Sequence, residues 1–399
     1  MSDIDQYFKN SHYNIIRILL GISGLWPFHT RNRRYAIYLT MILVLGTGYI
    51  FQILGIVEVW HDSFELINAI PFLFFTTIAL GKMICTVYTL PQIKVLLTRM
   101  REYRLSPKSN EETKIQNSHA QYGRKFGYAY TGFLLGHSVL YLLSSLSLKI
   151  FHTPSNETDE LSDKESNYRI GLPHRANYIV DVDTYYVPIF IHSAICDFTC
   201  TYLLTVFDVL YLTVVEYCCG LFASLRYRLE IALVFNDDKL RTLKDKSYAN
   251  IVYCIRRHAE SMQFVSIVES VYSLSLLLHV GSFVLVISFL LYQVLNDLEV
   301  NANTVVRTTA YLNAVLFNVF FENWQGQKII DSSEKVFESA YNTEWYNMPI
   351  ATRKLLIIMM IKSEKPLMLK MGKVVLLSYI TFNTVLRTSS SYFMLLRSL

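Results

Sequence analysis

Charge is scarce in this chain. Only 17% of its 399 residues are Asp, Glu, Lys or Arg, while 52% are apolar or aromatic. A soluble chain of that length would divide into two or three domains and cover each with charge. Catalytic signatures are also missing. There is no P-loop, no nucleophile elbow and no His-Glu-x-x-His, so no enzyme activity, metal or cofactor is expected. The six cysteines are Cys85, Cys196, Cys200, Cys218, Cys219 and Cys254. None falls in a segment expected outside the cell, so no disulfide framework is suggested. The first 34 residues lack a short apolar core followed by a small-residue cleavage site, so no cleaved signal peptide is expected.

What the chain does have is long apolar runs. About 18 such residues in a row can cross ~30 Å of hydrocarbon as a helix, which satisfies its own backbone there. Seven blocks are predicted to span: 35–57, 66–90, 126–148, 188–215, 270–296, 303–321 and 374–396. The expected fold is therefore an all-α membrane protein with seven transmembrane helices. Residues 15–26 are apolar but too short to span, and are expected to lie in the interface or dip into it.

Basic residues set the orientation. The N-terminal segment and the stretches 94–125, 226–257 and 328–365 together hold 27 Lys and Arg. The opposite set of loops, with the C-terminus, holds four: Lys164, Arg169, Arg175 and Arg397. The N-terminus is thus expected in the cytosol and the C-terminus outside, opposite to a G-protein-coupled receptor. The net charge of +5 then reflects loops facing anionic membrane lipid and calls for no nucleic acid.

Polar residues inside the spans narrow the possibilities. Lys82, Asp197, Asp208 and Arg387 each cost about 2.5–3.5 kcal/mol in lipid on the insertion scale. Helical rise places Lys82 and Asp208 near the cytosolic end, where snorkelling is expected. Asp197 is deeper and either lines a cavity or pairs inside the bundle. Arg387 stands one turn before Ser391. His192, Cys196 and Cys200 share a helix face with metal-like spacing, but packed core cysteines beside a polar histidine is the favoured reading. Gly123-x3-Gly127 and Gly132-x3-Gly136 suit close helix contact within the chain.

Aromatic residues mixed with Ser and Thr mark the outer halves of several helices. They include Phe72, Phe74, Phe75, Tyr141, Ser144, Ser145, Tyr186, Phe190 and Tyr311. Small-ligand pockets have this make-up, and so does an interfacial belt, which better suits Tyr186. Near the outer end of the last helix, Ser391, Leu395 and Leu399 recur at i, i+4, i+8. Such a face, repeated around an axis, makes a hydrophobic constriction that gates by dewetting.

The C-terminal third carries Gly326, Ser332-Ser333-Glu334, Tyr341, Trp345-Tyr346, Arg353-Lys354 and Lys365-Pro366, and it ends Ser389-Ser390-Ser391-Tyr392-Phe393-Met394-Leu395-Leu396-Arg397. In that order and spacing it resembles an insect odorant receptor. Gly21 to Trp26-Pro27 fits the family's membrane-dipping segment. The resemblance implies a ligand-gated, non-selective cation channel with four subunits around a pore. It implies a tuning subunit paired with a longer shared coreceptor in the plasma membrane of olfactory sensory neuron dendrites, binding small volatile apolar ligands. Carried onto this chain, 1–34 is a cytosolic N-terminal segment with its dipping piece, and 35–321 holds helices one to six. Residues 322–373 form the cytosolic anchor, with Tyr341, Trp345 and Tyr346 at the subunit contact. Residues 374–399 form the pore helix, gated at Ser391, Leu395 and Leu399. The odorant pocket falls among Phe72, Phe75, Tyr141, Ser145, Phe190, Asp197 and Tyr311. A gustatory receptor should end Thr-Tyr, five residues, Gln-Phe, and this chain does not. A metabotropic seven-helix receptor disagrees with the charge bias.

The topology is testable at both ends and in one loop. A tag at the N-terminus should stain only after permeabilisation, and one at the C-terminus on intact cells. The sequon Asn156-Glu157-Thr158 should carry a glycan whose enzymatic removal shifts the band in wild type but not in Asn156→Gln. Surface staining of the N-terminal tag on intact cells would reverse the orientation.

Overall fold

The structure is a computed structural model describing residues 3–151, 171–182, 184–231, 240–298 and 302–398. Asn156 and Leu399 lie outside the described residues. Two short helices open the chain, α1 (Asp3–Asn10) and α2 (Asn14–Ile22). Long helices follow: α3 (Arg31–Glu58), α4 (Ser63–Leu105), α5 (Asn110–Phe151), α6 (Tyr186–Ile231), α7 (Leu240–Asp297) and α8 (Ala302–Tyr341). After a 3-10 turn at Trp345–Asn347 come α9 (Ile350–Ser363), an antiparallel hairpin of β1 (Lys370–Met371) and β2 (Val375–Leu376), and α10 (Tyr379–Ser398).

Helices α3 to α7 are long and apolar enough to cross a membrane. Helices α8 and α10 carry more polarity, because Asn318 and Glu322 of α8 point into the bundle and α10 is rich in Ser and Thr. The basic stretches expected as loops are mostly helix. At 1.5 Å per residue, the 43 residues of α4 extend about 64 Å, roughly twice the hydrocarbon thickness. Its basic end therefore continues as helix beyond the membrane, and α5 to α8 do the same. There α5 starts on a capping box: Ser109 N–H donates to Glu112 Oε2 at 2.8 Å and Glu112 N–H to Ser109 Oγ at 3.2 Å. Glu112 also takes both arms of Arg228 at the end of α6, at 2.8 and 3.0 Å. Nearby, burial with Arg104 and Arg257 alongside brings the Lys108 amine down to about 7.

Helix α6 is the central post. Its most apolar stretch is 78% buried, against 22% for α5, which borders the lipid. Gly123 and Gly127 let α5 close on α6: a Cβ would lie 3.3 Å from Glu216 Cγ and 3.4 Å from Val209 Cγ1 respectively. Gly132 and Gly136 face open space. The apolar 15–26 segment is not a simple surface piece. Trp26 is fully buried, and Tyr202 of α6 donates to the Leu19 carbonyl at 2.8 Å.

Pro71 breaks the hydrogen-bond ladder of α4, because it has no N–H for the Ile67 carbonyl four residues earlier. Gln293 of α7 supplies the missing donor at 2.9 Å, as irregular backbone at membrane depth requires. The last predicted span begins as strand rather than helix. Gly372 and Lys373 both adopt positive φ, and Val374 N–H closes the turn on the Met371 carbonyl at 3.1 Å. Helix can only start beyond this hairpin, at Tyr379.

Lys82 and Asp208 do not snorkel. Lys82 Nζ donates to Asp208 Oδ1 at 3.2 Å and to Glu322 Oε1 at 2.9 Å, with all three side chains at most 4% exposed. Tyr130 and Asn318 donate to Asp208 Oδ2 at 2.7 and 2.6 Å, and His279 Nδ1 lies 2.6 Å from Glu322 Oε1. One cluster thus joins α4, α5, α6, α7 and α8. Removing one member of a buried ion pair typically costs about 3–5 kcal/mol, because its partners stay charged and unpaired. Lys82→Met should therefore lower the unfolding temperature in detergent by several degrees or abolish the monodisperse peak in size-exclusion chromatography. A variant with unchanged melting would show that the cluster is not holding the bundle.

Candidate functional site

Between the N-terminal ends of α4 and α8 and the C-terminal ends of α5 and α7 lies a cavity of about 210 Å³, the outer chamber. Leu172 to Arg175 of the folded-back segment 171–182 line it. Its rim is polar and charged, with Glu65, Arg175, Gln293, Asp297 and Arg307. Beneath it lies a second, smaller chamber of about 80 Å³. Its walls are largely apolar: Phe75, Leu134, Leu204, Phe283, Ala314 and Val315, with Ser138, Thr201, Asp197 and Asn318 as polar handles.

Phe72, Tyr141 and Tyr311 line both chambers and form the partition between them. Phe72 stacks on Tyr311 with centroids 5.1 Å apart and lies 5.8 Å from Tyr141, while Phe75 meets Tyr311 edge-on at 6.1 Å. Hydroxyls fix the rings: Tyr141 donates to the Pro173 carbonyl at 2.7 Å, and Tyr311 to that of Pro71 at 3.4 Å. The Arg307 guanidinium sits 5.6 Å from the centre of the Tyr141 ring.

Asp197 takes both of the roles open to it. Its carboxylate pairs with His174 Nδ1 at 3.1 Å, and it lines the inner chamber. His174 belongs to the folded-back segment and stacks on Phe72 at 5.8 Å. The ion pair Arg175–Glu65 ties the same segment to α4. The partners of Asp197 and Glu65 were not legible in the sequence, because segment 171–182 carries no periodicity that would place it over the bundle.

Five of the residues singled out from the sequence thus converge: Phe72, Phe75, Tyr141, Asp197 and Tyr311. Ser145 is buried nearby, donating to the Tyr141 carbonyl at 3.2 Å, but lines neither chamber. Phe190 also stands apart, stacked on Tyr186 at 5.9 Å. Sequence reading missed His137, Asn318 and Arg307 as wall residues. Asn318 is the informative one, since it both lines the inner chamber and donates to Asp208 of the buried ion cluster. His192 is held between Tyr178 OH at 2.8 Å and Thr47 Oγ1 at 3.1 Å, in keeping with packing rather than metal binding.

The last helix is amphipathic in a different sense. Val385 and Ser389 face inward, with Ser389 Oγ donating to the Val284 carbonyl of α7 at 3.1 Å. Ile380, Thr384, Arg387, Ser391 and Leu395 lie exposed on the opposite side. In the connecting region Tyr341 and Tyr346 are exposed and Trp345 is half-buried. Gly326 of α8 backs onto this region: a Cβ there would lie 2.7 Å from the Leu377 carbonyl oxygen.

Comparison with known proteins places this arrangement. The chain is 25% identical over 150 residues to Odorant receptor Or2 of Anopheles gambiae, covering 38% of this chain and 39% of that one. It is 30% identical over 148 residues to the Odorant receptor coreceptor of Drosophila melanogaster, covering 37% and 30%. Odorant receptor 9a of Drosophila melanogaster matches at 24% over 306 residues, 75% of this chain and 71% of that one. The matches thus span about two-fifths or less of the first two relatives. The solved olfactory receptor OR5 from Machilis hrabei superposes with a TM-score of 0.74 at 15% identity, covering 99% of both chains. Its complex with eugenol superposes at 0.73, covering 99% of this chain and 100% of that one. Those likenesses show a shared multi-pass membrane fold. The family model described as 7tm Odorant receptor matches residues 63–390, and this chain belongs to that family.

Proposed function

We propose that this chain is the odorant-binding subunit of a ligand-gated, non-selective cation channel that works with a shared coreceptor in a hetero-tetramer. Its place is the plasma membrane of olfactory sensory neuron dendrites, with the N-terminus cytosolic and the C-terminus outside. The observation that carries this reading is the separation of two features in one chain. An aromatic chamber sits among α4, α5, α6 and α8, and a polar, exposed face runs down α10. The chamber is small and mostly apolar with few polar groups, which suits a small volatile molecule. The related OR5 has been solved in complex with eugenol, a ligand of that kind.

The exposed face of α10 suits a pore. On a lone subunit surrounded by lipid, α10 would turn its Thr, Ser and Arg residues toward the bundle, whereas here Thr384, Arg387 and Ser391 point away from their own subunit. Around a four-fold axis they line water. Leu395, 57% exposed, then contributes to an apolar ring that cannot replace an ion's hydration shell; Leu399 extends the same face in sequence. Residues 322–373 supply the cytosolic anchor. Exposed Tyr341, Tyr346, Ile350, Ile358 and Ile361 offer it an apolar surface for neighbouring subunits.

Currents from cells expressing the chain with and without coreceptor, against an odorant panel, test the reading. With coreceptor, odorant should open a cation current. At matched surface expression, Tyr141→Ala should shift the dose–response at least about tenfold, roughly 1.4 kcal/mol of binding, with selectivity unchanged. Leu395→Gln should raise basal current or alter selectivity with little change in potency. The reverse pattern, potency following Leu395 and selectivity following Tyr141, would mean that pocket and pore are on the wrong helices.

A further inference from the structure

We infer that the apolar ligand reaches its chamber sideways, out of the membrane's outer leaflet, through a cleft between α5 and α8 closed by His137 and Tyr141. This rests on the proposed reading of the inner chamber as the ligand site. A third cavity, of about 350 Å³, lies against the outer half of the α5–α8 seam. Its mouth is formed by Leu140 and Val306, each 68% exposed on the bundle's apolar flank. His137 and Tyr141 line both this cavity and the inner chamber. The two spaces are therefore neighbours, with those side chains standing between them.

The seam is weakly fastened there and firmly below. At the cleft, the His137 ring N–H donates to the Ala310 carbonyl at 3.2 Å, and Arg307 rests on the Tyr141 ring. The Tyr141 hydroxyl stays on the Pro173 carbonyl, so His137 is the side chain that swings. Ala310 lies within α8, so the helix's own ladder keeps its carbonyl satisfied if His137 swings away. One turn nearer the cytosol, Phe317 packs against Phe133 at 5.1 Å and Tyr130 at 5.9 Å, and nothing passes. An opening is thus confined to the level of the inner chamber.

The aqueous route is the harder one for such a ligand. The outer chamber is overlaid by segment 171–176, pinned by Tyr141 to the Pro173 carbonyl, His174 to Asp197 and Arg175 to Glu65. An apolar molecule coming from water meets the charged side chains of Glu65, Arg175, Asp297 and Arg307 on that side. The same molecule concentrates spontaneously in hydrocarbon, where Leu140 and Val306 offer it an apolar mouth.

A blocked path slows filling and emptying alike and leaves equilibrium occupancy unchanged, which gives the test its signature. The full-length chain in liposomes is mixed with a diazirine-bearing octanol, flashed after a set delay, and its adducts mapped by mass spectrometry. Adducts, located by fragmentation to single residues, are expected first at Leu140 and Val306, then at Leu134 and Ser138. Leu140→Trp should delay inner-chamber labelling severalfold while the yield at long delay stays the same. Asn68→Trp, at the outer chamber, should leave the delay unchanged. If Leu140→Trp does not fold, Val306→Phe narrows the same mouth from the other helix. Inner labelling that is undelayed by these blocks, or delayed only by Asn68→Trp, overturns the lateral route and leaves the chamber's role standing. Absence of inner-chamber adducts at every delay removes the ligand-site reading, and the route with it.

Discussion

The ammonium of Lys82 is buried inside the helix bundle, and it is held there by two carboxylates from different helices. A buried ion without a partner is costly, so Lys82, Asp208 and Glu322 each depend on the others. The arrangement of α4, α6 and α8 follows from that mutual dependence. Tyr130 brings α5 into the cluster, and His279 brings in α7. Apolar packing alone gives little reason for helices to choose one another in lipid, because lipid tails are as apolar as leucine. A charge cluster whose ions meet in one arrangement supplies the choice.

That cluster also lies between the parts that the proposed function must connect. Asn318 forms part of the inner chamber and donates to Asp208. Four residues on, Glu322 accepts from Lys82, and four further, Gly326 meets Leu377 just ahead of α10. Chamber, ion cluster and the head of the proposed pore helix therefore fall along two turns of α8. A displacement of α8 by a seated ligand would be felt at the start of α10. Cores and interfaces of this kind switch between discrete packings rather than bending gradually.

The long helices, and the meeting of Phe72, Tyr141 and Tyr311 in one place, were largely legible in the sequence. Apolar block length registers directly as a crossing helix, and Phe72, Tyr141 and Tyr311 stood out because ring and hydroxyl side chains are conspicuous in apolar runs. The fate of Lys82 was not legible. Its partners lie 126 and 240 residues away, and counting helical rise along one segment cannot reveal a partner on another. Phe190 shows the complementary limit. It has the right residue type and the right helix end, but its rotation about α6 sets it against Tyr186 instead of the chamber. The hairpin at Lys370–Leu376 was hidden because an apolar run feeding a helix reads as part of that helix. Only Gly372 hinted that the chain turns first.

The central claim is that a small ligand seats in the inner chamber and is separated from the ion path along α10. Cryo-electron microscopy of the channel complex with and without a saturating agonist tests it most directly. The expected map has ligand density enclosed by Phe75, Tyr141 and Tyr311, with Lys82 still between Asp208 and Glu322 and α10 displaced at Leu395. Ligand density along the Ser391–Leu395 face of α10, with the inner chamber unfilled, would contradict it.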